Sequence, residues 1–360
     1  MKTIVHVIGA RPNYMKIAPL MEALRGLPVR QVLVNTGQHY DDMMARAFVR
    51  DLGLPTPDYD LGIGSASHAV QTARVMTEFE KVCDAERPDL VVVVGDVNST
   101  LAASLVAAKL LIPVAHVEAG LRSRDRTMPE EVNRLVTDRL SDVLLAPSQD
   151  AVDNLLAEGE APAKIHLVGN IMIDSLFRHL PAAALDRVAD RVPVTARSYA
   201  VLTLHRPSNV DTEETFRRIL LAIAAIAEEM PIVFPVHPRT RQRLASFGVA
   251  LPPGLLLTEP LGYIDFLSLT AHARIILTDS GGLQEESTAL GIPCLTLREN
   301  TERPITVTDG TNQVVGTRTA DILAGYRRAL SSNGHPRRPP LWDGRTADRI
   351  ARVLDGVLSS

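Results

Sequence analysis

The chain has 360 residues, 46% of them apolar and 4% aromatic, with a formal net charge of -4. That length accommodates two domains of ordinary size, each with a full core. The charge and the scarcity of aromatic rings exclude a basic surface or a stacking platform for nucleic acid, so an anionic ligand must be held by a local cluster. The first element, Lys2-Thr3-Ile4-Val5-His6-Val7-Ile8, reads as a buried strand and is too short and wrongly flanked for a signal peptide. No apolar run approaches the roughly 20 residues of a spanning helix. Cys83 and Cys294 lie far apart in apolar surroundings, as buried thiols of a reducing compartment do. These features predict a cytoplasmic protein with neither a membrane nor a nucleic acid as partner.

Short β-branched runs then alternate with helical patterns. The first series of strands is Thr3–Gly9, Gln31–Asn35, Leu90–Gly95, Val114–Glu118, Val143–Ala146 and Ile165–Val168, separated by amphipathic stretches such as Met15–Leu24, His68–Val82, Leu101–Leu110 and Glu130–Leu140. The rhythm restarts with Ala200–Leu204, Ile232–Val236, Leu255–Leu257, Ile275–Thr278 and Cys294–Leu297. Strands apolar on both faces and separated by helices imply parallel sheets covered on both sides. The fold class expected is α/β, with two doubly wound Rossmann-like domains facing across a cleft. Residues 1–170 form the first and residues 171–344 the second, with Pro181–Arg197 as a linker. A terminal helix pattern within 345–360 is expected to rejoin the first domain.

Unusual polar residues gather where strands end. After the first strand, Arg11 and Lys16 flank a turn and a helix start, where cations should be exposed to a ligand; a solvated Arg and a surface Lys are the plain alternative. The spacing is not that of a Walker loop. Asp96 follows the apolar run Val91–Val94 and either caps the next helix or faces the ligand. His116 and Glu118 alternate along a strand end and so share a face. Pro129 opens a helix whose first turn carries Glu130 and Glu131, a common structural arrangement, whereas Glu118 ends an apolar strand without local cause. Carboxylates converging on a half-buried site have their pKa values driven apart, which suits proton acceptor and donor roles.

In the second series, His205-Arg206 follows Ala200–Leu204 and suits phosphate binding or acid catalysis; His237 is a similar strand end with less support. The segment Arg274–Pro304 is the most informative. A strand stops at Asp279-Ser280-Gly281-Gly282 and becomes a helix carrying Glu285 and Glu286, and a second strand delivers Arg298, then Thr301-Glu302-Arg303-Pro304. Free N–H groups and the positive dipole end of that helix, with a guanidinium, suit a phosphate, and Glu286 suits a sugar hydroxyl pair. His116, Glu118, His205 and His237 lack metal-site spacing, and neither domain opens with the glycine pattern of hydride-transfer enzymes, so no metal and no cofactor are expected.

The motifs GARPNYMKIAPL, TGQHYDDMM, VVGDVNST, HVEAGLRS, PEEVNR, TLHRPSNVD, TDSGGLQEE and LGIPCLTLRENTERP, with the later Gly310/Gly316 segment, stand in this order over roughly residues 3 to 317. In these the chain resembles the non-hydrolysing UDP-N-acetylglucosamine 2-epimerases, a family with the two-domain GT-B fold. The resemblance implies interconversion of UDP-GlcNAc and UDP-ManNAc without metal or nicotinamide, through loss of the C2 proton and UDP to give 2-acetamidoglucal. By motif position it assigns substrate binding to Arg11, Lys16, Asp96, Glu118, His205, Phe266, Ser280, Gly281, Gly282, Glu286 and Arg303, and catalysis to Asp96, Glu118, Glu130 and His205. It also implies a homodimer with a UDP-sugar as its small-molecule partner. Leu261 stands where many relatives carry a Gln near the uracil.

A hydrolysing 2-epimerase, a UDP-sugar glycosyltransferase of the same fold and a non-catalytic UDP-sugar sensor are the competing readings. The His-Val-Glu-Ala-Gly-Leu-Arg run argues against the first, and the carboxylates at Glu118 and Glu130 would lack a purpose in the others. In bacterial relatives the segment matching Gln38-His39-Tyr40-Asp41-Asp42-Met43 carries an Arg where this chain has Tyr40 and helps bind a second, activating UDP-GlcNAc. The substitution predicts little dependence on added UDP-GlcNAc when turnover starts from UDP-ManNAc; a pronounced lag in its absence would contradict this.

Overall fold

The computed structural model describes residues 1–37, 53–248, 251–331 and 337–359. The Gln38–Met43 segment therefore lies outside the described residues. The chain divides into two compact units, Met1–Ser175 with Pro340–Ser360, and Leu176–Pro339.

In the first unit the strands are β1 (Lys2–Ile8), β2 (Val29–Asn35), β3 (Tyr59–Asp60), β4 (Leu90–Val94), β5 (Val114–Val117), β6 (Val143–Ala146) and β7 (Ile165–Leu167). They form one parallel sheet in the order β3-β2-β1-β4-β5-β6-β7. β4 is buried at every position, as a central strand covered on both faces requires. Val5, Val7, Val91 and Val93 on one face meet Phe79 and Val82 of the helix His68–Glu86 and Ala103 and Val106 of the helix Asn98–Lys109.

The second unit repeats the plan with β8 (Ala200–Thr203), β9 (Ile232–Pro235), β10 (Leu255–Thr258), β11 (Ile275–Thr278), β12 (Cys294–Thr296) and β13 (Asn312–Val314), ordered β10-β9-β8-β11-β12-β13 and parallel throughout. Phe216, Ile219 and Ile223 of the helix Glu213–Glu229 cover Leu202, Leu277 and Leu295. The two doubly wound parallel sheets expected from the alternating pattern are present. The strand reading missed β3 and β13. Both are edge strands, and neither a two-residue Tyr-Asp pair nor Asn-Gln-Val carries an apolar run; pairing to a neighbour's backbone makes them strands. Cys83 and Cys294 are both buried and free. No helix among the described residues is long and apolar enough to cross a membrane.

One expectation about the connections needs revision. Pro181–Arg197 is no open linker: Val188 and Val192 are buried, Val192 within the second unit's core, and Arg187 and Arg191 both pair with Asp265, at 3.0 and 2.7 Å. Small and basic residues gave this stretch its linker-like composition, while two spaced valines give it an anchor. The terminal helix, Thr346–Ser359, falls within the first unit, where it packs on the helix Arg11–Leu24. Its start is capped by a residue far away in sequence. The buried Asp174 carboxylate accepts the N–H of Thr346 at 3.1 Å and of Ala347 at 2.7 Å, while Trp342 donates its indole N–H to Pro147 O at 3.2 Å. Two N–H groups would otherwise be buried without acceptors, so Asp174→Ala should lower stability by about 1–2 kcal/mol. Urea unfolding of the variant against the parent checks this; an unchanged midpoint would mean that water replaces the carboxylate.

Candidate active site

Both sheets reverse their winding direction at one place, between β1 and β4 in the first unit and between β8 and β11 in the second. In a doubly wound sheet the helices following those two strands leave on opposite faces, so the loops at their carboxyl ends diverge and leave room for a ligand. Most of the unusual polar residues found in the sequence follow these strands or their neighbours.

In the first unit the turn after β1 is organised by Asn13. Its side-chain oxygen accepts the N–H of Gly9 at 3.1 Å and of Ala10 at 2.9 Å, and its amide donates to Val94 O at 3.1 Å, tying the turn to the end of β4. Arg11 opens the following helix. Lys16, one turn further on, is not exposed as expected but 6% accessible, because its ammonium reaches back to form an ion pair with Glu118 Oε2. Glu118 itself is 5% accessible, and Oε1 accepts no hydrogen bond from any described residue.

The backbone at Glu118 has φ +73, a left-handed conformation that costs a non-glycine residue about 1–2 kcal/mol. Strand alternation therefore stops short of it. β5 ends at Val117, and Glu118 and His116 do not act as one strand-face pair. His116 is wholly buried, with Nδ1 2.6 Å from Asp138 Oδ1 and Nε2 donating to Gly95 O at 2.8 Å. Asp138 also accepts the N–H of Gly120 at 3.0 Å and pairs with Arg122 at 2.7 Å. Burial pushes the Asp138 carboxyl up, but His116 and Arg122 outweigh burial and hold it below the ordinary range. This buried network fastens the turns on both sides of Glu118, at Gly95 and at Gly120. A side chain at Gly120, φ +85, would run into the carbonyl of Ala151.

Asp96 follows β4 after Gly95 and is not the N-cap of the next helix, which is Val97. Its carboxylate pairs with Arg134. Arg134 is held in turn by Glu131, at 2.9 Å. Glu131 is buried and structural, accepting the backbone N–H of Ser123 at 2.9 Å and of Arg124 at 2.8 Å, and the Ser123 hydroxyl at 3.0 Å. Burial raises its pKa, but these donors outweigh burial and keep the carboxyl below its usual range. Glu130, one residue earlier in the same first turn, is half-buried and makes no side-chain hydrogen bond or ion pair among the described residues. Of the two adjacent acids, Glu131 is committed to the fold and Glu130 is not.

In the second unit β11 ends at Thr278, and Ser280 is the N-cap of the helix Gly281–Leu290, its side chain making no capping bond, so the first N–H groups of the helix have no partner within it. The wholly buried Asp279 carboxylate ties this turn to the loop after β8. It pairs with His205 Nδ1 at 2.8 Å and accepts the backbone N–H of Arg206 at 3.0 Å and the Asn209 amide at 3.2 Å. Burial raises Asp279, but His205 and the backbone N–H groups outweigh it and hold the carboxyl below its usual range. Behind the glycines, Arg298 and Arg303 pair with the buried Glu302 at 2.8 and 2.7 Å, Arg206 approaches it at 3.5 Å, and Arg303 also reaches Glu285 at 2.8 Å. With Asp279, three carboxylates balance these three guanidinium groups beside the positive end of a helix dipole. A side chain at Gly281 would meet Arg303 Nη1 at 2.7 Å and Glu302 Oε1 at 2.8 Å and so displace that ion pair.

Glu286 lies further along the same helix, buried, with the Tyr263 hydroxyl 3.4 Å away. Desolvation raises its pKa to about 7, against the Tyr263 hydrogen bond and helped by the charge of Glu285. Tyr263 and the half-buried Phe266 share the helix Tyr263–Ala271, and Phe266 and Leu261 lean on the core cluster containing Tyr199 and Leu283.

The structure thus brings Lys16 to Glu118 in the first unit, and His205, Ser280, Gly281, Gly282 and Arg303 together in the second. Sequence reasoning quoted Asn13, Arg134, Asp279 and Glu302 without assigning them work, and passed over Asp138. A charge at a buried strand end, the signal used for Glu118, would also have found Asp279. Among the described residues no three His, Cys, Asp or Glu side chains are grouped to hold a metal ion; His116 faces Asp138, and His205 faces Asp279.

The family model described as UDP-N-acetylglucosamine 2-epimerase matches residues 23–355. A curated UDP-N-acetylglucosamine 2-epimerase of Methanocaldococcus jannaschii is 42% identical over 357 residues, 97% of each chain. A UDP-2,3-diacetamido-2,3-dideoxy-D-glucuronate 2-epimerase of Pseudomonas aeruginosa is 38% identical over 356 residues, 98% of this chain and 99% of that one. The crystal structure of the Methanocaldococcus jannaschii UDP-GlcNAc 2-epimerase in complex with UDP-GlcNAc and UDP matches with a TM-score of 0.91 at 42% identity, covering 99% of this chain and 100% of that chain. The strand-tip residues, the two parallel sheets and these matches agree: the chain belongs to the UDP-N-acetylglucosamine 2-epimerase family.

Proposed function

We propose that this protein interconverts UDP-GlcNAc and UDP-ManNAc by eliminating UDP and adding it back, without releasing free sugar. The observation that carries the reading is Glu118: a buried carboxylate on a left-handed strand tip, paired with Lys16 through one oxygen while the other has no described donor. A C2 proton is weakly acidic, so its base must be positioned and its removal coupled to departure of a leaving group. In the forward step a carboxylate takes the C2 proton, the C1–O bond to the diphosphate breaks with its electron pair leaving on UDP, and C1=C2 forms. In the return step a UDP oxygen attacks C1, and C2 is protonated on its other face. We assign the two proton transfers to Glu118 and Glu130, with Asp96 assisting.

The second unit suits the nucleotide. The helix starting at Gly281, His205 and the guanidinium groups of Arg206 and Arg303 answer the charge that grows on the diphosphate. Glu286 answers the ribose hydroxyls, and Phe266 and Leu261 line the base. Arg11 and Lys16 complete the binding set. This reading carries with it a cytoplasmic homodimer whose only small-molecule partner is the UDP-sugar. The Pseudomonas aeruginosa relative favours a second substrate reading, a UDP-2,3-diacetamido sugar acid epimerised by the same steps, which a parallel assay on that substrate distinguishes.

Proton NMR of UDP-GlcNAc with the protein in D2O tests the reaction. Deuterium should enter at C2 as UDP-ManNAc appears with UDP still attached; free sugar accumulating with UDP would mean the hydrolysing reaction. Glu118→Gln and Glu130→Gln should each lower C2 exchange by about 10²- to 10⁴-fold, and full exchange in both would refute the assignment.

Glu286 gives a pH prediction. With its pKa raised from 4.5 to about 7, the folded chain keeps a proton that the unfolded chain has lost, so its contribution to stability is present below 4.5 and is lost as pH rises to about 7. Glu286→Gln should therefore raise the melting temperature at pH 8 more than at pH 4.5, while weakening UDP binding measured by calorimetry. Equal shifts at both pH values would show that the effect is not ionic.

A further inference from the structure

We propose that Asp279 is the positioning residue of His205: its buried carboxylate takes the Nδ1–H of the ring and so presents Nε2 to the departing diphosphate. The inference rests on the reaction proposed above. The carboxylate has no accessible surface, whereas the imidazole is 50% exposed. Five contacts converge on the two oxygens: His205 Nδ1 at 2.8 Å, His205 N at 3.2 and 3.1 Å, Arg206 N at 3.0 Å and Asn209 Nδ2 at 3.2 Å. An ionised carboxylate only accepts, so each of these atoms must bring a hydrogen, and the neutral ring is held as the Nδ1–H tautomer. Nε2 has no partner among the described residues. It is the one ring atom left to a ligand.

The position of Asp279 is what gives it this reach. It stands at the end of β11, beside β8 in the sheet, so its side chain crosses to the loop after β8 while its backbone enters the turn to Ser280. Asp279 O also accepts from Arg206 Nε at 3.1 Å, which brings the arginine to the same turn. One residue thereby sets the ring, the arginine and the helix start that are assigned to the diphosphate. The half-exposed ring takes a proton from solvent on Nε2; Nε2–H then donates to a phosphate oxygen as charge grows there, and Asp279 stabilises the cation without itself taking the proton.

The test has two parts. In the 15N-labelled, unmutated protein at mildly alkaline pH, the ring nitrogen shifts of His205 should report Nδ1–H and an unprotonated Nε2; the Nε2–H tautomer would overturn the proposal. This measurement does not depend on turnover, so an inactive protein with Nδ1–H refutes the reaction, and an active one with Nε2–H refutes the positioning. The second part is kinetic. Asp279→Asn should lower kcat by about 10²- to 10⁴-fold, the range for a wrongly held catalytic histidine, and change KM far less. In a His205→Gln background the same substitution should cost less than about threefold, because the ring through which it acts is gone. An undiminished loss there would mark Asp279 as structural only and sink the proposal. If Asp279→Asn does not fold, the tautomer in the parent protein decides alone.

Discussion

A parallel sheet sends every strand in one direction, and this constraint organises the rest of the molecule. All carboxyl ends lie along one edge of each sheet, so the loops that follow them are neighbours however far apart they stand in the chain. Val94 pairs with Val117 across β4 and β5, which sets Gly95 beside Glu118; Thr203 pairs with Thr278 across β8 and β11, which brings His205 to Asp279. The central strands of each sheet are buried on both faces, and their backbones can move little without opening a core. The chemistry therefore stands on rigid tips, and the helices supply what the tips need.

Buried charge is the second theme. An uncompensated charge in an interior costs several kcal/mol, and a buried ion pair roughly offsets that cost without adding much stability. The pairs and networks around Lys16–Glu118, His116–Asp138–Arg122, Glu131–Arg134 and Asp279–His205 are therefore poor candidates for stabilisers. What they provide is position. Glu118 pays for its place twice, in desolvation and in left-handed backbone, and both costs are carried by the network that fixes Gly95 and Gly120. Such a concentration of strain and charge at one strand tip is expected where a group must be held for reaction rather than for folding.

The two units divide the physical tasks by charge. The second gathers guanidinium groups, balanced by Asp279, Glu285 and Glu302, beside a helix start whose first N–H groups favour an anion. The first gathers carboxylates balanced by Lys16, Arg122 and Arg134, an arrangement suited to moving protons. Glu286 differs from the other carboxylates of the second unit, since burial, with the charge of Glu285, raises its pKa to about 7.

Much of this was legible from the residues alone. Apolar runs separated by helix-length segments determined two parallel sheets, since a strand buried on both faces has no polar side to show. The order of the strand-end motifs determined the family, because each places a charge or a glycine where an ordinary α/β turn has no need of one. Glu118 stood out for the same reason. Edge strands such as Asn312–Val314 were invisible, because their strand character comes from a neighbour's backbone and not from their own side chains. The division of labour between Glu130 and Glu131 was equally hidden: both are first-turn acids, and only the folded loop at Ser123 and Arg124 claims one of them. Lys16 looked like an exposed cation until the fold placed Glu118 within its reach. Periodicity and composition are local and so reach element type and family; which charge meets which depends on contacts between residues about a hundred positions apart, and only the tertiary structure makes them.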